Sequence, residues 1–367
     1  MPACPRKQIV ASYEVGIYHC YNRCVRRAFL CGVDPVSGNN FEHRKDWILQ
    51  RAELLASAAA VEVLDFAILD NHMHFILRNR PDIAATWSDE EVVRRWWQIC
   101  PTRRNELGEA PEPLPVELDQ WLAHPEKVQE LRQRLSSISW FMRLLCQKIA
   151  RRANREDQVT GKFFESRFRC QALLDDEAVL ACSLYVDLNV VRADKAETPE
   201  ESRYTSAYER ILERKRFRAA MRAVAQADEN GSANAEPTRT PEDNLWLSPI
   251  QLADRFESGA DRTVSNPFPS RRLTNKGFLP MTLDHYLSLL DWMGRQIRSD
   301  KRGSIPAELS PILERLHVNM EQMPDVVSGF AQRFHSAVGR VNSMMQYARR
   351  LGRRWLAGIC QSAVVFT

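Results

Sequence analysis

Leu64-Asp65-Phe66-Ala67-Ile68-Leu69-Asp70-Asn71-His72-Met73-His74-Phe75-Ile76-Leu77 is the stretch on which the fold turns. It consists of two short apolar runs broken by Asp70-Asn71, a dipeptide that tolerates turn geometry, and therefore reads as a β-hairpin. On a strand, residues two apart face the same side. His72 and His74 thus point together, while Met73, Phe75 and Leu77 point to the opposite face. Two imidazoles side by side at a strand start, backed by an apolar face, can hold a metal ion. The pattern also occurs in strands that bind nothing, so a function for the pair needs a partner elsewhere in the chain.

Upstream, Val15-Gly16-Ile17-Tyr18-His19-Cys20-Tyr21 is an apolar run expected as the first strand, followed by Asn22, Arg23, Arg26 and Arg27. Residues 41–60 lack strand alternation and carry Trp47-Ile48-Leu49 and Leu54-Leu55-Ala56 in a charged frame, which predicts a helix crossing over to the hairpin. The chain therefore opens strand–helix–strand–strand.

Downstream, residues from about 82 to 135 read as a long insertion. Ser88 is placed to cap a helix whose first turn holds Asp89, Glu90 and Glu91, and Pro101, Pro111, Pro113, Pro115 and Pro125 predict irregular chain with two or three short helices. Ile138, Phe141, Met142, Leu145 and Ile149 then recur at helix spacing on one face, with the helix ending near Asn154. Phe163 to Leu173 has period-two character and predicts a strand. Asp175 or Asp176 caps a helix to about Ala193, whose core stripe is Leu180, Leu184, Leu188 and Val191. Tyr185 and Asn189 are four apart and share a line on that helix, roughly 100° round from Leu184. By spacing alone they fit a half-buried phenol with a polar neighbour.

Residues 207–221 predict another helix, and residues 225–245 read as a flexible linker rich in Gly, Ser, Asn, Pro and acids. Residues 1–224 thus form one unit and residues 246–367 a separate, mostly α-helical C-terminal domain, with helices expected at Ile250–Phe256, Leu283–Ile297, Ala307–Leu316, Val326–Val338 and Val341–Ile359.

The composition, 44% hydrophobic and 27% charged over 367 residues, is that of an ordinary globular protein. No apolar run of about 18 residues predicts a membrane span, and the N-terminus lacks the apolar core of a secretory signal. Nine cysteines then read as reduced thiols, with the cytoplasm as the expected compartment. Cys20, Cys24 and Cys31, with His19 beside the first, match no common zinc spacing and read as small buried residues. The net charge of +4 is modest but unevenly placed. Arg143, Lys148, Arg151, Arg152, Arg155, Lys162, Arg167 and Arg169 crowd one stretch, and no acid follows Asp325, a distribution that suits a phosphate backbone as well as a solvated helix face.

Three elements in this order carry a resemblance: His72-Met73-His74 at a strand start, Gly161-Lys162-Phe163-Phe164-Glu165-Ser166-Arg167-Phe168, and Leu184-Tyr185-Val186-Asp187-Leu188-Asn189-Val190-Val191-Arg192-Ala193. Together with Gly16-Ile17-Tyr18-His19-Cys20 and Asn22-Arg23, over roughly residues 13–210, they resemble the single-tyrosine HUH transposases of the REP-associated and insertion-sequence-200-like type. Val190 stands where many relatives have Pro, and both the insertion and the C-terminal part exceed the compact members. The resemblance implies an α+β fold with a ferredoxin-like antiparallel sheet and packed helices, the HUH nuclease core. It implies that His72, His74 and Asn189 share a divalent metal, Mg²⁺ or Mn²⁺, with Tyr185 as the nucleophile. It also implies a single-stranded or hairpin DNA partner and no membrane, and leaves open whether a tyrosine helix serves its own subunit's histidines, which permits a monomer, or a partner's, which needs a homodimer. Arg151, Arg152, Arg155, Arg167, Arg169 and Arg192 are the candidates for DNA contacts, and Phe163, Phe164 and Phe168 for stacking or core.

Two alternatives stand beside a DNA strand transferase acting through a 5′-phosphotyrosine. One is a domesticated, catalytically idle DNA-binding regulator that keeps the fold. The other is a metal hydrolase in which Asp65 or Asp70 completes the His72 and His74 pair.

Overall fold

The computed structural model describes residues 9–11, 13–25, 28–106, 108–228, 245–252, 272–297 and 321–366. The expected opening forms as β1 (Gly16–Arg23), α1 (His43–Ala58), β2 (Val61–Ile68) and β3 (His72–Asn79). Asp70 and Asn71 make the hairpin turn, closed by the Leu69 N–H donating to the His72 carbonyl at 2.8 Å. The insertion holds four helices, α2 (Pro81–Thr86), α3 (Asp89–Ile99), α4 (Pro115–Leu122) and α5 (Pro125–Leu135). Ser88 caps α3 by accepting from the Glu91 N–H at 3.1 Å. Pro115 and Pro125 start helices here, because a proline at the first helical position forfeits only an N–H that has no partner there.

The chain continues as α6 (Ile138–Glu156), β4 (Arg169–Leu173), α7 (Asp176–Asp187) and α8 (Asn189–Arg192). It closes with α9 (Ser206–Asp228), α10 (Leu283–Ile297), α11 (Met323–Arg333), β5 (Ala337–Val338), α12 (Val341–Arg350) and α13 (Ile359–Val365). The strand expected from Phe163 is confined to β4, with Phe164 only bridging Cys24; Phe163, Phe164 and Phe168 are all buried. The helix expected to reach Ala193 turns at Leu188 into α8.

Among the described residues the sheet has five strands in the order β2-β3-β1-β4-β5, antiparallel between the first four and parallel between β4 and β5. Period-two alternation assigns the two faces to two apolar cores. Tyr18, Cys20, Phe66, Phe75 and Leu77 pack with Ile48 and Leu55 of α1 and with Phe141, Met142 and Leu145 of α6. Leu64, Ile76 and Leu173 pack on the other side with Leu180, Leu184 and Leu188, and with residues of α10 and α11. With helices on both faces, β2 is buried along its whole length.

The segments after residue 245 share this architecture instead of forming the separate domain expected from composition. β5 extends the sheet beside β4. The Ser248 N–H donates to the Val63 carbonyl at 2.9 Å, Arg78 donates to the Lys276 and Gly277 carbonyls at 2.7 and 2.9 Å, and the Tyr286 hydroxyl donates to Asp187 at 2.6 Å. The physical reason lies in α7, whose residues from Glu177 to Asp187 are all buried. A helix apolar around most of its circumference needs cover on its outer side, and α10 and α11 supply it. Residues 229–244, most of the expected linker, and the helix expected at Ala307–Leu316 lie outside the described residues, as does Ala253–Phe256 of the one expected at Ile250; Gln251 itself forms a bridge with Leu279.

Candidate active site

The face of the sheet under α7 carries a polar row within an apolar layer. Register places His74 opposite Tyr21, His72 opposite Arg23, and His19 opposite Gln171. Because His19 lies two residues from Tyr21, it is the diagonal neighbour of His74 on the same face. The His72 and His74 ring centroids are 5.0 Å apart with planes at 82°. From the opposite layer, α7 sets Tyr185 edge-on to His74 at 5.4 Å. Asn189, one helical turn on, lies against both His72 and Tyr185 and influences the titration of each. The four residues read as two motifs in sequence thus come together in one place.

The hydrogen bonds around them are uneven. His72 Nδ1 is 2.6 Å from Asn71 Oδ1. His74 Nδ1 is 2.9 Å from His19 Nε2, and His19 Nδ1 is 2.8 Å from Gln171 Oε1. His74 Nε2 and the Asn189 amide nitrogen are buried with no hydrogen bond of regular geometry. An orphaned buried polar atom costs about 1–3 kcal/mol, and each one in a native structure calls for a reason.

Burial, then the nearby Arg23 charge, pushes the His72 imidazole down to about 4, and burial alone pushes His19 down to about 4. His74 is held well below its ordinary range by burial and by its His72 neighbour. The three rings are therefore neutral at pH 7, with lone pairs available to a Lewis acid. Burial raises the Tyr185 phenol; Arg192, whose guanidinium carbon stands 5.2 Å from the ring centroid, opposes that shift.

This donor set fits a divalent cation. Two neutral imidazoles, one with an orphaned Nε2, stand beside an amide that can turn to present its oxygen. Among the described residues no group of three or more His, Cys, Asp or Glu side chains forms a metal site. The two carboxylates weighed as completing ligands are committed elsewhere: Asp65 to Arg210 at 2.6 Å and Ser183 at 2.5 Å, Asp70 to Lys45 at 2.7 Å and Lys195 at 2.9 Å. Cys20, Cys24 and Cys31 are buried on the other side of the sheet, in the core with α1.

The arginines divide into groups. Arg192 is half-buried and donates to the Ser328 carbonyl beside Tyr185. Arg169 is exposed and pairs across to Tyr21, which places it on the histidine face, and Arg167 is exposed nearby. Arg151, Arg152 and Arg155 are exposed on α6, which packs on the opposite face of the sheet, and Arg152 stacks over Trp47 at 3.8 Å. They are not brought to Tyr185.

Three residues of the site had no functional signal in the sequence reading. His19 stands in sequence beside Cys20, Gln171 is an ordinary strand residue, and Phe330 of α11, from beyond the expected linker, stacks on Tyr185 with ring centroids 5.2 Å apart. Only strand register could have found the first two.

No family model and no curated protein matches this sequence. Among solved structures, a REP-associated tyrosine transposase bound to a REP hairpin is similar over 54% of this chain and 79% of that one, at 11% identity and a TM-score of 0.31. At that identity and score the likeness assigns no chemistry, which rests on the side chains. No described helix is long and apolar enough to cross a membrane.

Proposed function

We propose that this chain is a metal-dependent DNA strand transferase of the tyrosine-transposase kind, cleaving single-stranded, hairpin-flanked DNA through a 5′-phosphotyrosine. One observation carries the reading: a half-buried His72 and a buried His74 with an orphaned ring nitrogen face a tyrosine and an amide delivered by a distant helix. The order β2-β3-β1-β4, with α1 and α6 together on one face and the tyrosine helix on the other, supports a ferredoxin-like core for it.

His72, His74 and Asn189 would hold the cation, Mg²⁺ or Mn²⁺. When bound, it supplies Lewis-acid polarisation of a phosphate oxygen. Tyr185 Oη attacks phosphorus, the new P–O bond replaces the bond to the 3′ oxygen, and that oxygen leaves as a 3′ hydroxyl. The phenol loses one proton and the leaving oxygen gains one, so the step is balanced without a carboxylate base. Energy kept in the tyrosyl ester permits rejoining. The Arg192 charge beside the phenol favours the phenolate that attacks. Arg167 and Arg169 serve the DNA backbone on the tyrosine side, while Arg151, Arg152 and Arg155 would meet a strand that wraps past the sheet edge.

A second reading has its own observation. Phe330 stacks on Tyr185, which is 6% exposed, and burial raises the phenol's pKa; an idle DNA-binding regulator would tolerate such a cover. Incubation with labelled single-stranded hairpin DNA and Mn²⁺ separates the two. A covalent adduct that vanishes in Tyr185→Phe is expected. An adduct that survives that substitution refutes the nucleophile, and tight binding of a matched hairpin without cleavage supports the regulator.

A further inference from the structure

A hydrogen-bonded row crosses three strands on the histidine face: Gln171 on β4, His19 on β1 and His74 on β3. Its direction is decided at one end. Gln171 Nε2 donates to the backbone carbonyl of Phe334, in the segment between α11 and β5. A carbonyl only accepts, so the amide must turn its NH₂ there and its oxygen to His19. The opposite rotamer would set two carbonyl oxygens against each other. The Phe334 carbonyl is itself held in place, because the Ala172 and Leu174 N–H groups donate to the Ser336 and Val338 carbonyls, each at 2.9 Å.

The oxygen of Gln171 requires a donor, so His19 carries its proton on Nδ1. In a neutral ring Nε2 then only accepts, so the nitrogen facing it, His74 Nδ1, must carry a proton. His74 Nε2 is left as a bare lone pair, and it is a buried ring nitrogen with no hydrogen-bond partner. The His19 and His74 ring planes lie 11° apart with centroids at 5.1 Å, and the two nitrogens are 2.9 Å apart. Both side chains are buried, at 0% and 2% exposure, so water does not compete for the row.

We propose that Gln171 and His19 are positioning residues that lock His74 in the Nδ1–H tautomer and so aim its Nε2 lone pair at the metal of the site proposed above. The row starts from the C-terminal segment, so the last part of the chain completes the centre that the hairpin begins. This rests on the proposed metal site for its purpose but not for its geometry. Outer partners of this kind set ligand orientation, and losing one typically costs roughly 10–100-fold in metal affinity.

The full chain labelled with ¹⁵N-histidine, with no metal added, reports the tautomers through long-range ¹H–¹⁵N correlations, and Mn²⁺ affinity is read by the free-ion electron paramagnetic resonance signal. In the unsubstituted protein, His19 and His74 are both expected as Nδ1–H. In Gln171→Leu, His74 is expected to become a mixture of tautomers, with Mn²⁺ affinity falling at least about tenfold. A His74 protonated on Nε2 in the unsubstituted protein overturns the proposal even where the variant does not fold. So does a folded Gln171→Leu with unchanged tautomers and affinity. If the tautomers are as expected and no DNA adduct forms, the strand-transferase reading fails and the positioning row stands.

Discussion

The tyrosine helix α7 separates two buried polar clusters that differ in one respect. On one side, Asp65 is bound by Arg210 and Ser183, and Asp187 accepts from the Ser206 hydroxyl at 2.5 Å, the Ala207 N–H at 3.0 Å and the Tyr286 hydroxyl at 2.6 Å. Arg210 also donates to the Leu64 and Ser248 carbonyls. On the other side, the row of histidines ends in an orphaned Nε2 beside an amide nitrogen with no regular hydrogen bond. Both clusters are largely buried and both span elements distant in sequence. One is closed, with its charges answered, and it welds β2, α7, α9 and α10 together. The other is left open, and an open buried site is stable only because the closed one and the apolar cores carry the fold. Polar burial alone is therefore no mark of function.

Breaking the closed cluster should cost most. In Arg210→Met the Asp65 charge is left buried beside a thioether, a loss of about 3–5 kcal/mol by denaturant titration. Adding Asp65→Leu should restore most of that, because the uncompensated charge goes with it. A loss under about 1 kcal/mol for the single variant would mean that the pair does not weld the fold.

The next effect is a dependence on pH. Burial, reinforced by the Asp65 charge, pushes the Asp187 carboxyl from its ordinary 3.8 up to about 7, with Arg210 and the Ser206 and Tyr286 hydroxyls opposing. The folded chain therefore holds this proton more tightly than the unfolded one. Its contribution is present in full below about pH 4 and is lost as the pH rises through about 7. The stability of the unsubstituted protein relative to Asp187→Asn should accordingly fall between pH 5 and pH 8. A constant difference over that range would show that Asp187 is already ionised in the folded chain, as it is in the unfolded one.

The smallest effect belongs to the open cluster. Asn189→Ala removes an amide whose nitrogen has no regular hydrogen bond, so stability should change by less than about 1 kcal/mol, or rise. Mn²⁺ binding should nonetheless weaken. A loss comparable to that of Arg210→Met would erase the distinction between the two sides.

What could be read in advance follows physical range. The strand–helix–strand–strand opening, the Ser88 and Asp175 caps and the apolar stripe of α6 depend on neighbours within a turn or a pleat, and all are written locally. Among the prolines of the insertion, Pro101, Pro111 and Pro113 lie in irregular chain as expected, whereas Pro115 and Pro125 start helices, because the effect of a proline depends on whether it falls first in a helix. A linker-like stretch followed by helix-like segments predicts a separate C-terminal domain, whereas burial of α7 on all sides is visible only when its partners are present.

The sequence by itself determined that two histidines share a strand face and that a tyrosine and an asparagine share a helix line, since both follow from backbone period. Tertiary structure alone decided that these lie against each other, that His19 and Gln171 stand behind His74, and that Phe330 covers the tyrosine. Those relations depend on the register of β1 between β3 and β4 and on which helices close the second face. Both are fixed by packing between segments far apart in the chain, and no local pattern encodes them.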